Sequence, residues 1–246
     1  MAGTIGVAGN GAAEQSDDEI YEQSLLVREK ADLTVEEWHS YLTKRGLSFG
    51  SKQLTVINEV SQGDSDGVSK QKLDRHESKF TMTYYEGSGY DAVDLSWNHD
   101  ASQANDYGAD PPDGASIHYA SDHYDRTYDV DDWVYYGQNA KDPNGFDSKN
   151  PNHGAACIFK DGLIPQDNDG YFGIRVEPNT NLSSTDRELE FDYRHTWSNG
   201  TLKSISIGTG GISFTFSDGT FRWDWEESYR EEDIDDGGIT KDPGTA

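Results

Sequence analysis

The sequence is poor in cysteine, in basic residues and in long apolar runs. Cys157 is the only cysteine among 246 residues, so an intramolecular disulfide and a Cys-rich zinc site are both excluded. No run of about 18 apolar residues occurs, and no transmembrane segment is predicted. Twenty Lys and Arg stand against 46 Asp and Glu, without the basic patch that phosphate contacts require. The sequence therefore predicts no nucleic-acid partner.

Large apolar residues are also scarce: Ile, Leu, Val and Phe together number 43. Such scarcity, with a net charge of −26, is typical of disordered chains. Aromatic residues nevertheless make up 12% of the chain and fall in alternating patterns that predict strands. A folded protein of this charge indicates adaptation to high salt, since the Debye length shrinks to about 3 Å at 1 M. An acidic tail that mimics nucleic acid is the alternative, and the even spread of charge argues against it.

The opening segment, MAGTIGVAGNGAA, carries no charged side chain, whereas the chain after it is rich in acidic residues. Its apolar stretch and small residues are those of an export signal, although the basic start of such a signal is missing. Residues 1–15 are expected to be a truncated signal remnant or an ordinary flexible terminus. Asn-x-Ser/Thr acceptors at Asn181 and Asn199 fit an exported protein. A secreted or cell-surface location is predicted, with the cytoplasm as the alternative.

Two capped helices are predicted in residues 16–50, which we interpret as a helical head. Capping boxes, Ser16 with Glu19 and Thr34 with Glu37, mark the two helix starts. Gly46 is placed to end the second helix in a left-handed conformation.

The rest of the chain predicts an antiparallel β domain. Residues 51–79 are interpreted as a strand followed by a polar linker, and residues 80–226 as a β-sandwich or jelly-roll-like domain. Within it, Asn-Gly and Asp-Gly turns predict a four-stranded meander over residues 187–226. The acidic residues 227–246 show no periodicity and are expected to be disordered.

Three carboxylates at alternate positions are the first candidate for catalysis. Glu188, Glu190 and Asp192 lie on one face of a predicted strand, with neighbours about 6–7 Å apart at roughly 3.3 Å per residue. This spacing suits the carboxylate pairs of glycoside hydrolysis, and the row resembles that of concanavalin-like sandwich glycosidases. The alternative is the solvent face of a half-buried strand in an acid-rich protein, which we favour.

Imidazole and carboxylate groups concentrate in the middle of the chain. His99, His118, Asp122 and His123 are the candidate ligands of zinc or a similar divalent ion. His118 and His123 differ by an odd number of positions, so both can converge only if the second lies in a loop. Polar sheet and loop residues without a metal are the alternative interpretation.

Asp-rich turns resemble pieces of calcium loops, although none completes the EF-hand pattern. In the DNDG turn, Asp167 and Asp169 are the candidate calcium ligands. Calcium is the one cofactor that the sequence leaves open, and otherwise none is expected.

The stretch SLLVREKADLTVEEWHSYLTKRGLSF, mainly residues 20–50, resembles exported acidic proteins of halophilic archaea. The resemblance implies export and a salt-rich environment, and it implies no particular activity.

Three functions remain open at this point. The first, which we favour because no strong catalytic constellation is visible, is a non-enzymatic secreted or surface protein with a binding or structural role and a protein or carbohydrate partner. The second is a sandwich-fold glycosidase, and the third is a structural subunit of a virion or an appendage.

Overall fold

The structure is a computed structural model. It consists mainly of β-strands and two capped helices, as predicted. It describes residues 15–58, 76–99, 112–127, 132–159, 169–196, 201–208, 211–217 and 222–235. The helices in these ranges are α1 (Asp17–Ala31), α2 (Val35–Lys44) and α3 (Glu231–Asp235). The strands are β1 (Gly50–Asn58), β2 (His76–Tyr85), β3 (Asp91–His99), β4 (Asp113–Tyr119), β5 (Tyr124–Arg126), β6 (Val134–Gln138), β7 (Ala140–Lys141), β8 (Lys149–Asn150), β9 (Gly154–Phe159), β10 (Asp169–Pro178), β11 (Glu188–Thr196), β12 (Leu202–Gly208), β13 (Gly211–Phe216) and β14 (Arg222–Arg230).

Both predicted capping boxes are formed. The Ser16 hydroxyl accepts a hydrogen bond from the Glu19 amide at 3.2 Å, and the Glu19 carboxylate accepts one from the Ser16 amide. Thr34 and Glu37 repeat the arrangement at the start of α2. Each box satisfies amide groups that have no partner inside the helix, which fixes where α1 and α2 begin.

The C-terminus of α2 is closed as predicted. Gly46 has a φ of +86°, and the Leu47 amide donates to the Leu42 carbonyl at 3.1 Å. This is a Schellman motif, in which a glycine adopts the left-handed conformation and two flanking apolar residues meet. Leu42 and Leu47 are both buried, so the motif turns the chain directly into β1.

Two antiparallel sheets form the body of the protein. In the first sheet the order is β1-β2-β3-β10, and β5 and β6 both pair with the far edge of β10. In the second sheet the order is β14-β11-β4-β9, and β7 and β8 both pair with β9. Strands β12 and β13 pair only with each other and form a separate hairpin.

The two sheets pack face to face, which confirms the predicted β-sandwich. Phe80, Leu95 and Phe172 of the first sheet share one apolar cluster with Ile117 and Phe191 of the second. All five side chains are fully buried. Alternate positions along each strand supply this core, as the period of two requires.

The helices α1 and α2 cover the outer face of the first sheet. Tyr21 of α1 stacks on Tyr85 of β2 with 4.3 Å between ring centroids, and Trp38 of α2 is also fully buried. The helices are therefore part of the sandwich and do not form a separate head. The strand predicted after them is β1, and its pairing with β2 along its whole length places it in the same sheet.

The predicted meander over residues 187–226 is wrong in its pairing. Strand β11 pairs with β14 on one side and with β4 on the other. The β12–β13 hairpin instead packs on the outer face of the second sheet, where Ile205, Ile212 and Phe214 cluster with Ala156 of β9. The meander correctly paired β12 with β13, but it wrongly paired this hairpin with β11 and β14, which pair with each other.

The predicted tail begins too early at residue 227. Strand β14 continues to Arg230, and α3 follows with Glu231 and Ile234 buried. Ile234 belongs to the sandwich core, and this apolar contact holds α3 in place. Residues 236–246, like 1–14, lie outside the described residues.

Candidate functional site

A cleft of about 230 Å³ lies between the helices and the outer face of the first sheet. A single water needs only about 10–15 Å³ by the same kind of measure, so the cleft has room for more than solvent. We call it the helix–sheet cleft. Its lining comes from α1 (Arg28), the start of α2 (34–36), β1 (Gln53), β2 (Lys79 and Thr81), β3 (96–98) and β10 (Asp169 and Gly170).

Arg28 forms the buried wall of the cleft. Its Nη1 lies 3.3 Å from both carboxylate oxygens of Asp94, and its Nη2 donates to the Ser96 hydroxyl at 2.8 Å. The guanidinium also lies between two rings, 3.6 Å from the centroid of Tyr171 and 4.4 Å from that of Trp38. Such stacking and pairing compensate for the loss of water around a charge that is 99% buried.

One buried donor of the cleft wall, Nε of Arg28, has no hydrogen-bond acceptor among the described residues. The Trp97 side chain points to the opposite face of β3, into the core between the sheets, where its ring centroid lies 4.5 Å from that of Phe159. A Cβ added at Gly170 would come within 2.4 Å of the Trp97 ring, so glycine is required at position 170 for this packing.

The open side of the cleft carries carboxylates. Asp169 accepts a hydrogen bond from the Asn98 amide at 2.6 Å. Burial raises the pKa of Asp169; Asn98 lowers it, and the negative charges of Asp32 and Glu36 raise it further. Arg28 is paired with Asp94, and the other charged groups of the lining are the carboxylates of Glu36 and Asp169 and the ammonium group of Lys79.

Uncharged hydrogen-bonding groups complete the lining. The Gln53 side-chain amide donates to Thr81 Oγ1 at 3.2 Å and to the Glu36 carboxylate at 3.4 Å. This bridge ties β1 and β2 to the first turn of α2. The groups are held in place before any ligand arrives, which reduces the entropy lost on binding.

The three carboxylates predicted for glycoside hydrolysis occupy unlike environments. Glu188 is exposed and accepts a hydrogen bond from Ser228. Glu190 is 41% exposed, whereas Asp192 is 3% exposed. Asp192 therefore does not line an open groove, as hydrolysis would require.

Asp192 is enclosed by partners on the outer face of the second sheet. Its carboxylate lies 2.9 Å from His118 Nε2, 3.1 Å from the Ser116 hydroxyl and 3.2 Å from Arg194. The β12–β13 hairpin covers this group, since a Cβ at Gly211 would come within 3.0 Å of the His118 ring. The arrangement is that of a satisfied buried carboxylate.

The four predicted metal ligands do not converge. His99 contacts Tyr193 in the core between the sheets, where its Nε2 lies 2.6 Å from the hydroxyl. His118 is on the opposite face of the second sheet, and His123 accepts a hydrogen bond from the Glu188 amide at 3.1 Å. Asp122 is exposed in a turn, where its carbonyl accepts from Asn179. Within the described ranges, no three His, Cys, Asp or Glu side chains are placed to hold a metal ion.

The remaining predicted sites divide between described and undescribed parts of the chain. Asp169 lines the helix–sheet cleft, whereas Asp167 lies outside the described residues. Asn181 is exposed in the turn after β10, as an acceptor for glycan must be, and Asn199 also lies outside the described residues. No helix in the described ranges is long and apolar enough to cross a membrane.

Arg28 was not among the residues predicted to be functional, so the cleft was not predicted. Tyr21, Leu25 and Arg28 stand at i, i+4 and i+7, and all three are buried. A basic residue on the buried stripe of a helix needs a partner in the interior. That signal was readable from the α1 sequence, although the identity of the partner, Asp94, was not.

Neither a scan of the chain against protein-family models nor a search of curated proteins finds a match. The function is therefore inferred from the helix–sheet cleft and the chemistry of the chain.

Proposed function

We propose that the protein is a non-enzymatic binding protein, secreted or on the cell surface in a salt-rich environment, and that it binds a small polar ligand in the helix–sheet cleft. One observation carries the proposal: a cleft of about 230 Å³ is lined by preorganised polar groups from α1, α2 and the first sheet. Typical small-molecule sites span about 300–1,000 Å³, so the ligand is expected to be no larger than one sugar ring or one amino acid.

The composition supports the environment in which this binding takes place. A net charge of −26 is tolerable where salt screens repulsion between carboxylates, and it keeps the protein dissolved there. Glu188, Glu190 and Asp192 lie on the second sheet, away from the cleft, and they do not contribute to this function.

The test is an NMR titration of the labelled protein in molar KCl with monosaccharides, amino acids and small amines. The side-chain amides of Gln53 and Asn98 belong to the lining and report on the cleft directly. At least one compound is expected to shift both signals and to saturate. If the whole panel leaves both signals unmoved, the proposal fails.

A pair of variants locates the binding. Thr81→Phe places a ring into the cleft, and Thr55→Phe adds the same ring to an exposed position of β1 outside the lining. We expect Thr81→Phe to abolish the shifts and Thr55→Phe to keep them. Equal binding by the two variants would show that the compound occupies another place.

A further inference from the structure

Strand β1 forms one edge of the first sheet, and among the residues that the structure describes no strand pairs with its outer side. It pairs with β2 from Gly50 opposite Tyr84 to Asn58 opposite His76, and this register contains no bulge. The nine residues of β1 also contain no proline. Bulges and prolines are among the features that keep a strand edge from pairing with another chain. The backbone of β1 is therefore open to one more strand.

The side chains of β1 are less buried than those of its neighbour in the sheet. Phe80 and Met82 of β2 are fully buried in the sandwich core. Leu54 and Val56 of β1 pack against the same core but are only partly buried. Apolar surface therefore remains uncovered along this edge, and a strand added beside β1 would cover it.

Charge is almost absent from β1, although 27% of the whole chain is charged. The sequence of the strand, GSKQLTVIN, contains no acid and a single base, Lys52. A lysine on an edge strand usually deters pairing. The Lys52 ammonium, however, lies 4.1 Å from the ring centroid of Tyr229 in β14, so it is held over the second sheet. The edge therefore lacks the charges that ordinarily protect an edge strand.

The charge of the protein favours a second copy of β1 as the partner strand. Each copy carries −26, so two copies repel each other, and their contact costs least where both surfaces lack acid. A two-fold axis at Thr55 places Leu54 opposite Val56 of the second copy, and this apolar pair occurs twice. Lys52 then lies opposite Asn58. No two charged residues of β1 face each other in this register.

The position of α3 agrees with the same register. This helix contacts β1 and begins two residues after Tyr229, the residue that Lys52 contacts. It therefore lies near the first residues of β1. The two-fold pairing uses residues 52–58 and leaves Gly50 and Ser51 unpaired, so the second strand does not need the part of β1 beside α3.

We propose that the protein forms a two-fold dimer in which β1 of one copy pairs antiparallel with β1 of the other, with Thr55 at the axis. The first sheets of the two copies then form one continuous sheet. The dimer uses the edge of the sheet and not the helix–sheet cleft, so it stands apart from the proposed function.

Sedimentation equilibrium of the full chain in molar KCl measures the association. We expect a species of twice the chain mass of 27.4 kDa, which dissociates on dilution. If only the single chain is present at every concentration up to the solubility limit, the dimer is overturned. That result includes the case in which another segment of the same chain covers β1.

Cysteine crosslinking tests the register. Cys157 is the only native cysteine and is buried, so a thiol crosslinker reports on an introduced cysteine alone. Thr55→Cys places two thiols directly opposite each other, where Cβ atoms are about 4.5–5.5 Å apart. Thr215→Cys, on an exposed position of β13, is the control. With a short bismaleimide and dilute protein, we expect a covalent dimer from Thr55→Cys and none from Thr215→Cys. Equal crosslinking of the two variants would overturn the pairing through β1.

Charge variants give a second readout without a crosslinker, at the lowest KCl concentration that keeps the chain folded. Thr55 is exposed, so Thr55→Glu leaves the fold intact, but it places two carboxylates opposite each other. We expect it to weaken the dimer up to about fivefold. A mixture of Thr55→Glu with Thr55→Lys should restore the affinity, because opposite charges then meet, and Thr215→Glu should not change it. If the mixture dimerises as weakly as Thr55→Glu alone, the two strands do not meet at Thr55 and the register is wrong.

Discussion

Arg28 and Asp94 form an ion pair that is closed to solvent: the side chains are 1% and 0% exposed, and Nη1 lies 3.3 Å from both carboxylate oxygens. The pair joins α1 to β3, so it also attaches the helices to the sheet. Burial raises the pKa of Asp94, and the charge of Arg28 opposes that rise.

Arg28→Met is expected to destabilise the protein by about 3–5 kcal/mol, because it leaves a buried carboxylate without its partner. The double variant Arg28→Met/Asp94→Leu should lose less than the sum of the two single variants, since no unpaired charge remains. Urea unfolding at fixed KCl measures both. The control is Arg45→Met, an exposed arginine, with an expected change within about 0.5 kcal/mol. If the double variant loses as much stability as the two single variants together, Arg28 and Asp94 are not coupled.

Asp91 makes stability depend on pH near neutrality. It accepts a hydrogen bond from the Tyr84 hydroxyl, and burial is the main cause that raises its pKa to about 7 from 3.8. The folded state therefore binds this proton more tightly than the unfolded state. The stability that this proton contributes is complete below about pH 4. It is lost as the pH rises from there through 7, by at most about 1.4 kcal/mol per pH unit.

The variant Asp91→Asn isolates this contribution, because an amide keeps the acceptor and cannot ionise. We expect its free energy of unfolding to exceed that of the wild type at pH 8 and not at pH 4. Chemical unfolding across that range measures the difference. A constant difference between the two proteins would show that Asp91 does not titrate in this window.

Gly114 of β4 is the point where the β12–β13 hairpin contacts the second sheet. A Cβ there would lie 2.4 Å from Cε1 of Phe214, so Gly114→Ala must push the phenylalanine ring outward. We expect a loss of about 1–3 kcal/mol and faster hydrogen exchange in β12 and β13. Gly208→Ala is the control, since no atom lies within 4 Å of its added Cβ. If the two variants lose the same stability and show the same hydrogen exchange, the contact between Gly114 and Phe214 is contradicted.

Salt should stabilise the whole protein. At a net charge of −26, raising KCl from 0.1 M to 1 M shortens the Debye length from about 10 Å to 3 Å and weakens repulsion between carboxylates. Tm is expected to rise over this range. A variant in which three exposed acids are neutralised should gain less Tm from the same salt: Glu29→Gln, Glu227→Gln and Asp233→Asn. An equal gain in Tm would exclude repulsion between carboxylates as the cause.

Local signals in the sequence predicted local structure well. The capping boxes marked the starts of α1 and α2, and the alternate carboxylates Glu188, Glu190 and Asp192 correctly indicated the strand β11. These features depend on neighbours within a few residues, so they can be read without the rest of the chain.

Long-range pairing could not be predicted in the same way. Nothing within β11 reveals that its partners are β4 and β14, and the error in the meander follows from that. Asp192 shows the same limit at the level of one residue. Its position in an alternating strand predicts exposure, but a hairpin and a histidine from β4 enclose it.

The ion pair between Glu22 and Arg175 joins residues that are 153 positions apart, with both contacts at 2.7 Å. At about 5–20 residues per second, a ribosome needs roughly 8–30 s to make that length of chain. During this interval β2 and β3 are already made and can receive Tyr21 and Arg28, but the partner of Glu22 in β10 does not yet exist. The contact between Glu22 and the sheet therefore forms late in synthesis, after β10 has paired with β3.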